Sequence, residues 1–275
     1  MASETLTGAV MVTGAGRGIG KRLAIGFATQ GARVALLARS KAELDLCHLE
    51  IEHAGGNALR LRADVADYEQ MTASLERIRV QLGSPVQVLV CAAAMQGHIG
   101  CFADSNPKSW NEVMQTNLVG VMNACRAVLP HMIARRSGKI IIIGGSALSQ
   151  ARPNFAAYAA TKTALIAFVE SVAVEISDHN VQINCMTPGP TYTHMTDQLL
   201  AAGDKAGWRE IEEAQQARLT GGTSSEKQIE LALFLASERS NHLSGRLLDV
   251  NDNWKKLRDG SLKAEQFTLR RSQKS

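Results

Sequence analysis

Tyr158 and Lys162, four residues apart, are the side chains in this sequence whose spacing most directly suggests acid–base chemistry. The apolar positions Leu165, Val169 and Val172 predict an amphipathic helix, on which residues i and i+4 share one face. An ammonium beside a phenol stabilises the phenolate, so the phenol could exchange a proton with an alcohol or carbonyl oxygen. Taken alone, however, this spacing is common by chance and is usually structural.

A second pattern with chemical meaning lies near the N-terminus, between a predicted strand and a predicted helix. It reads Thr13-Gly14-Ala15-Gly16-Arg17-Gly18-Ile19-Gly20. Glycine permits a tight turn and a close approach to a ligand, and the N–H groups that begin a helix attract phosphate charge. In this context the run predicts a dinucleotide pyrophosphate site, with a merely tight turn as the alternative.

The end of the second predicted strand indicates which dinucleotide would bind. An NAD site usually has an acidic residue there, whereas this chain has Arg39 followed by Ser40. Arg39 and Arg17 together would suit a 2′-phosphate, because planar guanidinium groups donate several hydrogen bonds to an anion. We therefore predict NADP(H), although two exposed arginines would give the same pattern. Asp64 could accept from the adenine amino group or be an ordinary loop carboxylate.

Short β-branched runs alternate with longer amphipathic segments over the first 190 residues. We predict strands at 9–13, 33–38, 59–62, 86–92, 139–143 and 181–186, and helices at 18–30, 41–54, 110–135 and 157–179. Strands rich in valine and isoleucine without polar alternation are typical of a parallel sheet that is covered on both faces. The chain is thus predicted to be a single α/β domain over residues 1–250, a doubly wound (Rossmann) parallel sheet of about seven strands.

Two segments depart from this alternation. Residues 194–222 are polar and helix-prone, and they form either a substrate lid or a plain pair of surface helices. Residues 251–275 follow the last strand as a basic C-terminal extension of low apolar content, which is typical of a solvated tail.

Composition excludes several classes of function. The net charge of +4 is spread along the chain, and only three Trp and three Tyr are present, which argues against nucleic-acid binding. Five scattered cysteines favour neither a disulfide framework nor a metal site, and they fit a reducing, cytoplasmic setting. The longest aliphatic run, 140–143, is too short to cross a membrane and no signal pattern is present, so we expect no membrane association.

Taken together, the motifs resemble the short-chain dehydrogenase/reductase family over roughly residues 8 to 250. The glycine run matches the family's Thr-Gly-x-x-x-Gly-x-Gly pattern, and Tyr158 and Lys162 match its acid–base pair. Further matches are Asp64-Val65 with the adenine-binding pair, Asn117 with the active-site asparagine, and Pro188-Gly189 with the nicotinamide-binding turn.

This resemblance implies the part that each residue would take. Tyr158 would exchange the proton, Lys162 would hold the nicotinamide ribose, and Asn117 would position a water that relays protons. The nicotinamide would be oriented by backbone groups and one hydroxyl, at Ile19, Gly189, Thr191 and Thr193. The family also implies a homodimer or homotetramer. The small residues Ala124, Ala127, Ala164 and Ala167 would allow two helices to pair across the interface, or would pack within one chain.

Two departures from the family pattern affect the site. The first is Cys91-Ala92-Ala93-Ala94, which replaces the usual Asn-Asn-Ala-Gly. Cys91 is either a catalytic thiol or a small buried apolar residue.

The second departure concerns the substrate-orienting serine, which in the family usually lies thirteen residues before the tyrosine. This chain has Gly145 at that position. We assign that role to Ser146, with Ser149 as the second candidate; without either, Tyr158 and backbone donors would polarise the carbonyl.

Two segments resemble a divergent branch of the family. They are Pro153-Asn154-Phe155, just before the tyrosine, and Asp252-Asn253-Trp254-Lys255. For this branch, sugar-like or polyketide-like alcohols are plausible substrates. The pocket would be lined by residues 95–102, 146–155 and 194–222. Within these segments the side chains that could bind hydroxyls, or else lie in solvent, are Gln96, His98, Arg152 and Asn154.

These features predict an oxidoreductase that transfers a hydride between NADP(H) and a small-molecule carbonyl or secondary alcohol. Two alternatives stay open. One is a catalytically weak protein that holds NADP(H) as a sensor or scaffold, and the other is an epimerase that acts through a transient ketone.

Overall fold

A computed structural model describes residues 8–145 and 151–259 of the chain. Its centre is one sheet of seven parallel strands in the order β3-β2-β1-β4-β5-β6-β7. The strands are Ala9–Thr13 (β1), Arg33–Ala38 (β2), Asn57–Arg62 (β3), Val86–Cys91 (β4), Gly138–Ile143 (β5), Val181–Thr187 (β6) and Leu247–Asp249 (β7). The doubly wound fold is therefore confirmed, and the strand order reverses direction between β1 and β4.

The sheet separates two apolar cores, which explains why its central strands show no polar alternation. In β1, Val10 and Val12 face the core that holds Phe27, whereas Met11 faces the opposite core beside Leu89. Every residue of β1 is buried, because side chains on both faces of a covered parallel sheet leave water.

Nine α-helices lie within the described residues. They are Gly18–Thr29 (α1), Lys41–His53 (α2), Tyr68–Gln81 (α3), Pro107–Met114 (α4), Gly120–Arg135 (α5), Ala156–Glu175 (α6), His194–Ala202 (α7), Trp208–Thr220 (α8) and Ser225–Ala236 (α9). Short 3₁₀ turns occur at Phe102–Asp104, Ser177–His179, Gly203–Ala206, Glu238–Ser240 and Trp254–Asp259. Helix α6 is long and apolar enough to cross a membrane, but half of that stretch is buried, as in the core helix of a globular domain.

The helix predicted at 110–135 is interrupted by a π-helical turn, Gln115–Val119, between α4 and α5. One extra residue in a helical turn re-aims the side chains within it, and π-turns are frequent at functional sites. Within this turn Asn117 is completely buried and Thr116 is 9% exposed. The sequence pattern did not predict this irregularity.

The beginning of the C-terminal extension is packed rather than solvated. Trp254 and Leu257 are buried, and the Trp254 ring stacks on Phe234 of α9 with ring centroids 5.2 Å apart. The prediction of a wholly solvated tail is therefore wrong for this turn, although Lys255 is exposed as expected and pairs with Glu230.

Candidate active site

A cleft of about 660 Å³ lies at the carboxyl ends of the central strands, where the strand order reverses between β1 and β4. This is the position at which open parallel sheets bind ligands, because the loops on either side of the reversal leave a crevice. Its walls combine the glycine turn after β1, the ends of β5 and β6, the start of α6, and helices α7 and α8.

The glycine turn is shaped for close backbone packing. A Cβ on Gly14 would lie 2.6 Å from the backbone nitrogen of Ala93, and one on Gly20 would overlap the Gly14 carbonyl oxygen. Gly14 also has a φ of +67°, which favours glycine. Helix α1 begins at this turn and, unlike α2 and α3, has no side-chain cap, so its first N–H groups are not used by a capping side chain.

Both arginines predicted to hold a 2′-phosphate line the cleft, and each faces an acidic partner. Arg17 Nη1 lies 3.2 Å from Glu43 Oε1, and Arg39 Nη1 lies 3.8 Å from Asp64 Oδ2. The arginine side chains are 56% and 64% exposed, so these pairs hold them weakly. Sequence analysis missed Glu43, whose carboxylate competes for the guanidinium of Arg17.

The loop at Asp64 is ordered by its own carboxylate. Asp64 Oδ1 accepts from the N–H of Ala66 at 3.0 Å, while Gln70 Oε1 accepts from the N–H of Asp64 at 2.9 Å. Val65 is buried beside the cleft and would touch a Cβ placed on Gly120 of α5. The adenine-binding role of the Asp64-Val65 pair remains a prediction.

Tyr158 and Lys162 lie together in the first turns of α6, as their spacing predicts. Both side chains are buried within the cleft, and Lys162 Nζ lies 5.7 Å from the centre of the Tyr158 ring. Nζ also donates a 2.7 Å hydrogen bond to the carbonyl oxygen of Ile143, the last residue of β5. Thus the amine is anchored to the sheet, so that its position relative to the phenol is fixed.

Asn117 connects the loop after β4 to the catalytic helix. Its Oδ1 accepts from Met95 N at 2.8 Å, and its Nδ2 donates to Met95 O at 2.9 Å and to Thr161 Oγ1 at 3.4 Å. The Thr161 hydroxyl in turn donates to the carbonyl of Tyr158 at 2.8 Å. Both amide hydrogens of Asn117 and one oxygen lone pair thus position this loop and the start of α6, and Thr161 is a link that the sequence did not reveal.

Gly145 faces the phenol. A Cβ on this glycine would lie 2.9 Å from Tyr158 Oη and 3.2 Å from Cε1. Position 145, where the family pattern has its serine, therefore adjoins the Tyr158 hydroxyl, and here it carries no side chain. Ser146 and Ser149, the candidates for the substrate-orienting hydroxyl, lie outside the described residues.

The predicted nicotinamide turn begins at the end of β6. Gly189 has a φ of +70°, and Thr191 Oγ1 donates to its carbonyl oxygen at 3.0 Å. Buried Gln228 of α9 fixes this turn by donating to Pro188 O at 2.8 Å and to Thr191 Oγ1 at 2.7 Å. Thr193 begins α7 as its N-cap, within the same cleft. Gln228 was missed, although a glutamine on the apolar face of α9 is a recognisable signal.

Helices α7 and α8, the segment interpreted as a lid or a surface pair, cover the substrate end of the cleft. Leu199 and Ala214 pack with Phe155 and Tyr158 in a third, smaller apolar cluster. Arg152, just before α6, forms a double hydrogen bond with Glu210 of α8, with Nε–Oε1 and Nη2–Oε2 distances of 2.8 and 2.7 Å. The segment therefore forms part of the cleft wall, and its role as a lid remains a prediction.

Of the four side chains expected to bind hydroxyls, Gln96 and Arg152 line the cleft, whereas His98 and Asn154 do not. Asn154 has a φ of +70°, and its carbonyl oxygen accepts from the N–H of Gly100 at 3.0 Å. That hydrogen bond joins the loop after β4 to the loop before α6, so Asn154 shapes the site through its backbone.

The cysteine alternative finds no support in the geometry. Cys91 is buried in β4, and a hydrogen bond with Cys91 together with burial raises the pKa of the Cys125 thiol well above its ordinary value. Burial also raises the pKa of Cys185 to about 12 and that of Cys47 to about 11. The thiols of Cys47, Cys125 and Cys185 therefore stay protonated at neutral pH, and Cys91 is not among the residues that line the cleft.

Comparison with known proteins agrees with this arrangement. The family model described as short chain dehydrogenase matches residues 8–203. The chain belongs to the short-chain dehydrogenase family. Curated relatives include a 3-oxoacyl-[acyl-carrier-protein] reductase of Staphylococcus aureus, 30% identical over 90% of this chain and 97% of its own. Another is a gluconate 5-dehydrogenase of Gluconobacter oxydans, 34% identical over 90% of this chain and 94% of its own.

Solved structures share the same fold. A gluconate 5-dehydrogenase from Burkholderia cenocepacia in complex with NADP and tartrate superposes with a TM-score of 0.78, at 29% identity over 92% of this short-chain dehydrogenase and 96% of its own chain. A 3-oxoacyl-[acyl-carrier protein] reductase with bound NAD from Brucella melitensis gives 0.75, at 28% identity and 90% coverage of both chains. The chain is accordingly an oxidoreductase of this family, which uses a nicotinamide cofactor on small-molecule substrates.

Proposed function

We propose that the chain transfers a hydride between NADP(H) and a ketone or secondary alcohol, with Tyr158 as the proton-exchanging group. The observation that carries this proposal is the buried Tyr158–Lys162 pair, which lies against Gly145 at the base of the cleft. A phenol held beside an ammonium suits proton exchange with an alcohol or carbonyl oxygen.

The residues divide the reaction between them. When bound, the nicotinamide supplies or accepts the hydride. During ketone reduction Tyr158 donates its hydroxyl proton to the substrate oxygen, and during alcohol oxidation it accepts that proton. Lys162 stabilises the phenolate electrostatically and holds the nicotinamide ribose. Asn117 keeps its neighbours in place through Met95 and Thr161, and we propose that it also positions the relay water.

We propose that the dinucleotide would lie along the cleft, whose lining includes residues suited to each of its parts. At the pyrophosphate, Gly14, Gly16, Gly18, Ile19 and Gly20 bring the uncapped start of α1 to the ligand. At the other end Pro188, Gly189, Thr191 and Thr193 would hold the nicotinamide. Asp64 and Val65 would flank the adenine.

We further propose a preference for NADP(H) over NAD(H). Arg17 and Arg39 are exposed and weakly paired, so both can turn toward a 2′-phosphate, and no acidic residue ends β2. A phosphate carries more charge than a carboxylate, and it would displace Glu43 and Asp64 from the two guanidinium groups.

Ser146 remains our candidate for the substrate-orienting hydroxyl, because its neighbour Gly145 adjoins Tyr158 Oη and provides no hydroxyl. Helices α7 and α8 would enclose the substrate. The intact acid–base pair favours an enzyme over a scaffold that only holds the cofactor, and relatives that are reductases and dehydrogenases favour net hydride transfer over epimerisation.

We also propose a cytoplasmic homodimer or homotetramer. Ala167 is exposed and Ala164 partly exposed on α6, so this helix has small residues available for close pairing. Ala124 and Ala127 are instead buried within their own chain, and for these two the alternative of intramolecular packing is correct.

The proposed function is tested by following NADPH absorbance with purified protein and a panel of ketones, sugars and polyols. We expect turnover of at least one carbonyl with NADPH, and slower turnover with NADH. Tight NADPH binding without turnover on the whole panel would contradict an oxidoreductase and support a sensor.

A further inference from the structure

The side chains of Arg152 and Glu210 form an internal ion pair at the substrate end of the cleft. They are only 12% and 19% exposed, and two short hydrogen bonds join them. The guanidinium lies 4.2 Å from the Phe155 ring centre and 5.3 Å from that of Tyr158. The pair therefore lies beside Tyr158 in the wall of the same cleft.

The charge of this pair determines what it can recognise. A doubly hydrogen-bonded arginine–carboxylate pair is neutral as a unit, so it presents hydrogen-bond donors and acceptors without a net charge. Within the described residues Nη1 of Arg152 donates no hydrogen bond, and each Glu210 oxygen accepts only one. A substrate carboxylate gains no net attraction from a guanidinium that Glu210 already neutralises, whereas a hydroxyl can accept from Arg152 and donate to Glu210.

Gln96 provides an independent observation in the same cleft. Its side chain is only 4% exposed, and its Nε2 has no hydrogen-bond partner among the described residues. Buried polar groups are normally satisfied, so an orphaned amide that lines a cleft points to a polar ligand. The amide is again neutral and both donates and accepts.

We propose that the substrate is a neutral polyhydroxylated alcohol or its ketone, whose hydroxyls bind Arg152, Glu210 and Gln96. This proposal rests on the function proposed above and narrows its substrate class. In oxidation, a hydride leaves the carbinol carbon for NADP⁺ and the hydroxyl proton passes to Tyr158, giving ketone and NADPH. Substrates with a carboxylate or a long acyl chain in place of these hydroxyls are selected against.

The test compares matched pairs that differ only in one terminal group, a CH₂OH in the polyol and a carboxylate in the aldonate. Sorbitol and gluconate, mannitol and mannonate, and xylitol and xylonate are titrated by calorimetry into the NADP⁺-saturated protein, and turnover is measured in parallel. We expect the neutral member of at least one pair to bind about 10-fold more tightly, which corresponds to about 1.4 kcal/mol.

Glu210→Gln is the decisive variant, because it releases the positive charge of Arg152 while keeping the side-chain shape. We expect the polyol-to-aldonate affinity ratio to fall about 10-fold in this variant, and Glu212→Gln, an exposed neighbour on α8, to leave it unchanged. Gln96→Leu should weaken polyol binding without changing NADP⁺ binding.

Several outcomes would overturn the substrate assignment. These are tighter binding of every aldonate by the wild-type protein, an unchanged ratio in Glu210→Gln, no binding of any pair, or turnover of a 3-oxoacyl thioester in preference to every polyol. Failure of the proposed function itself is recognised separately, as polyol binding with the expected ratio but no hydride transfer to NADP⁺.

Discussion

Lys162 Nζ donates a 2.7 Å hydrogen bond to the carbonyl oxygen of Ile143, which fixes the amine between the catalytic helix and the end of β5. This contact explains how a flexible side chain keeps one position beside a phenol. It also brings together two segments that the sequence separates by nineteen residues. The relationship makes the charge at position 162 directly testable.

We expect Lys162→Met to lower kcat by about 100-fold or more, because the phenolate loses its stabilising charge. Lys108→Met, at an exposed position of α4, is the control and should keep full activity. Stopped-flow measurement of hydride transfer checks both variants. Wild-type rates in Lys162→Met would refute the proposed role of the amine.

Cofactor choice should depend on Arg39. Exchange of Arg39 for Asp removes one phosphate donor and adds a carboxylate that can accept from ribose hydroxyls. We expect the ratio of kcat/KM for NADPH to kcat/KM for NADH to fall by about 100-fold. The cause is the loss of one charge-assisted hydrogen bond to the 2′-phosphate, together with repulsion between that phosphate and the new carboxylate. An unchanged ratio would contradict the arginine argument.

Glu43 gives an opposite prediction. Its carboxylate forms an exposed ion pair with the guanidinium of Arg17. Such pairs contribute up to about 1 kcal/mol of interaction free energy, which a 2′-phosphate must overcome to bind Arg17. Glu43→Gln should therefore tighten NADPH binding by about 2- to 5-fold and leave NADH binding unchanged, as measured by fluorescence titration. Equal effects on both cofactors would show that Arg17 does not meet the 2′-phosphate.

Gly145 should be sensitive to the smallest side chain. A Cβ there would lie 2.9 Å from Tyr158 Oη, so the hydroxyl must move. We expect Gly145→Ala to lower kcat by about 10-fold, because a shift of the hydroxyl by a few tenths of an ångström misaligns it with the substrate oxygen. NADPH affinity should not change. Full turnover in Gly145→Ala would contradict the described position of the phenol.

Much of the fold followed from local patterns, and these patterns explain which predictions succeeded. The valine- and isoleucine-rich strands and the glycine run predicted the sheet and the cleft because they depend on neighbours in the chain. Tyr158 and Lys162 share a helix, so their proximity could be derived from spacing alone.

Other features depend on contacts between distant segments and could not be predicted in this way. Arg152 and Glu210 are 58 residues apart, and nothing local pairs them. Trp254 was placed in a solvated tail because its own segment is polar, but it finds an apolar partner, Phe234, on α9. Gln228 was recognisable only as a polar residue on an otherwise apolar helix face.

The packing of Trp254 predicts a contribution of the extension to stability. Trp254→Ala should lower the free energy of unfolding by about 3 to 5 kcal/mol, as for other buried large aromatic residues. Trp208→Ala is the matched control, because Trp208 is 77% exposed and should change stability by no more than about 0.5 kcal/mol. Denaturant titration distinguishes the two variants; equal stabilities would show that the 254–259 turn does not pack on α9.

The central claim is that Tyr158 exchanges the substrate proton over a bound nicotinamide. Its most direct test is Tyr158→Phe, which removes one oxygen, combined with NADPH binding by fluorescence and single-turnover hydride transfer. We predict unchanged NADPH affinity and a hydride-transfer rate lowered by about 10²- to 10⁴-fold. Hydride transfer at the wild-type rate in Tyr158→Phe would contradict the account.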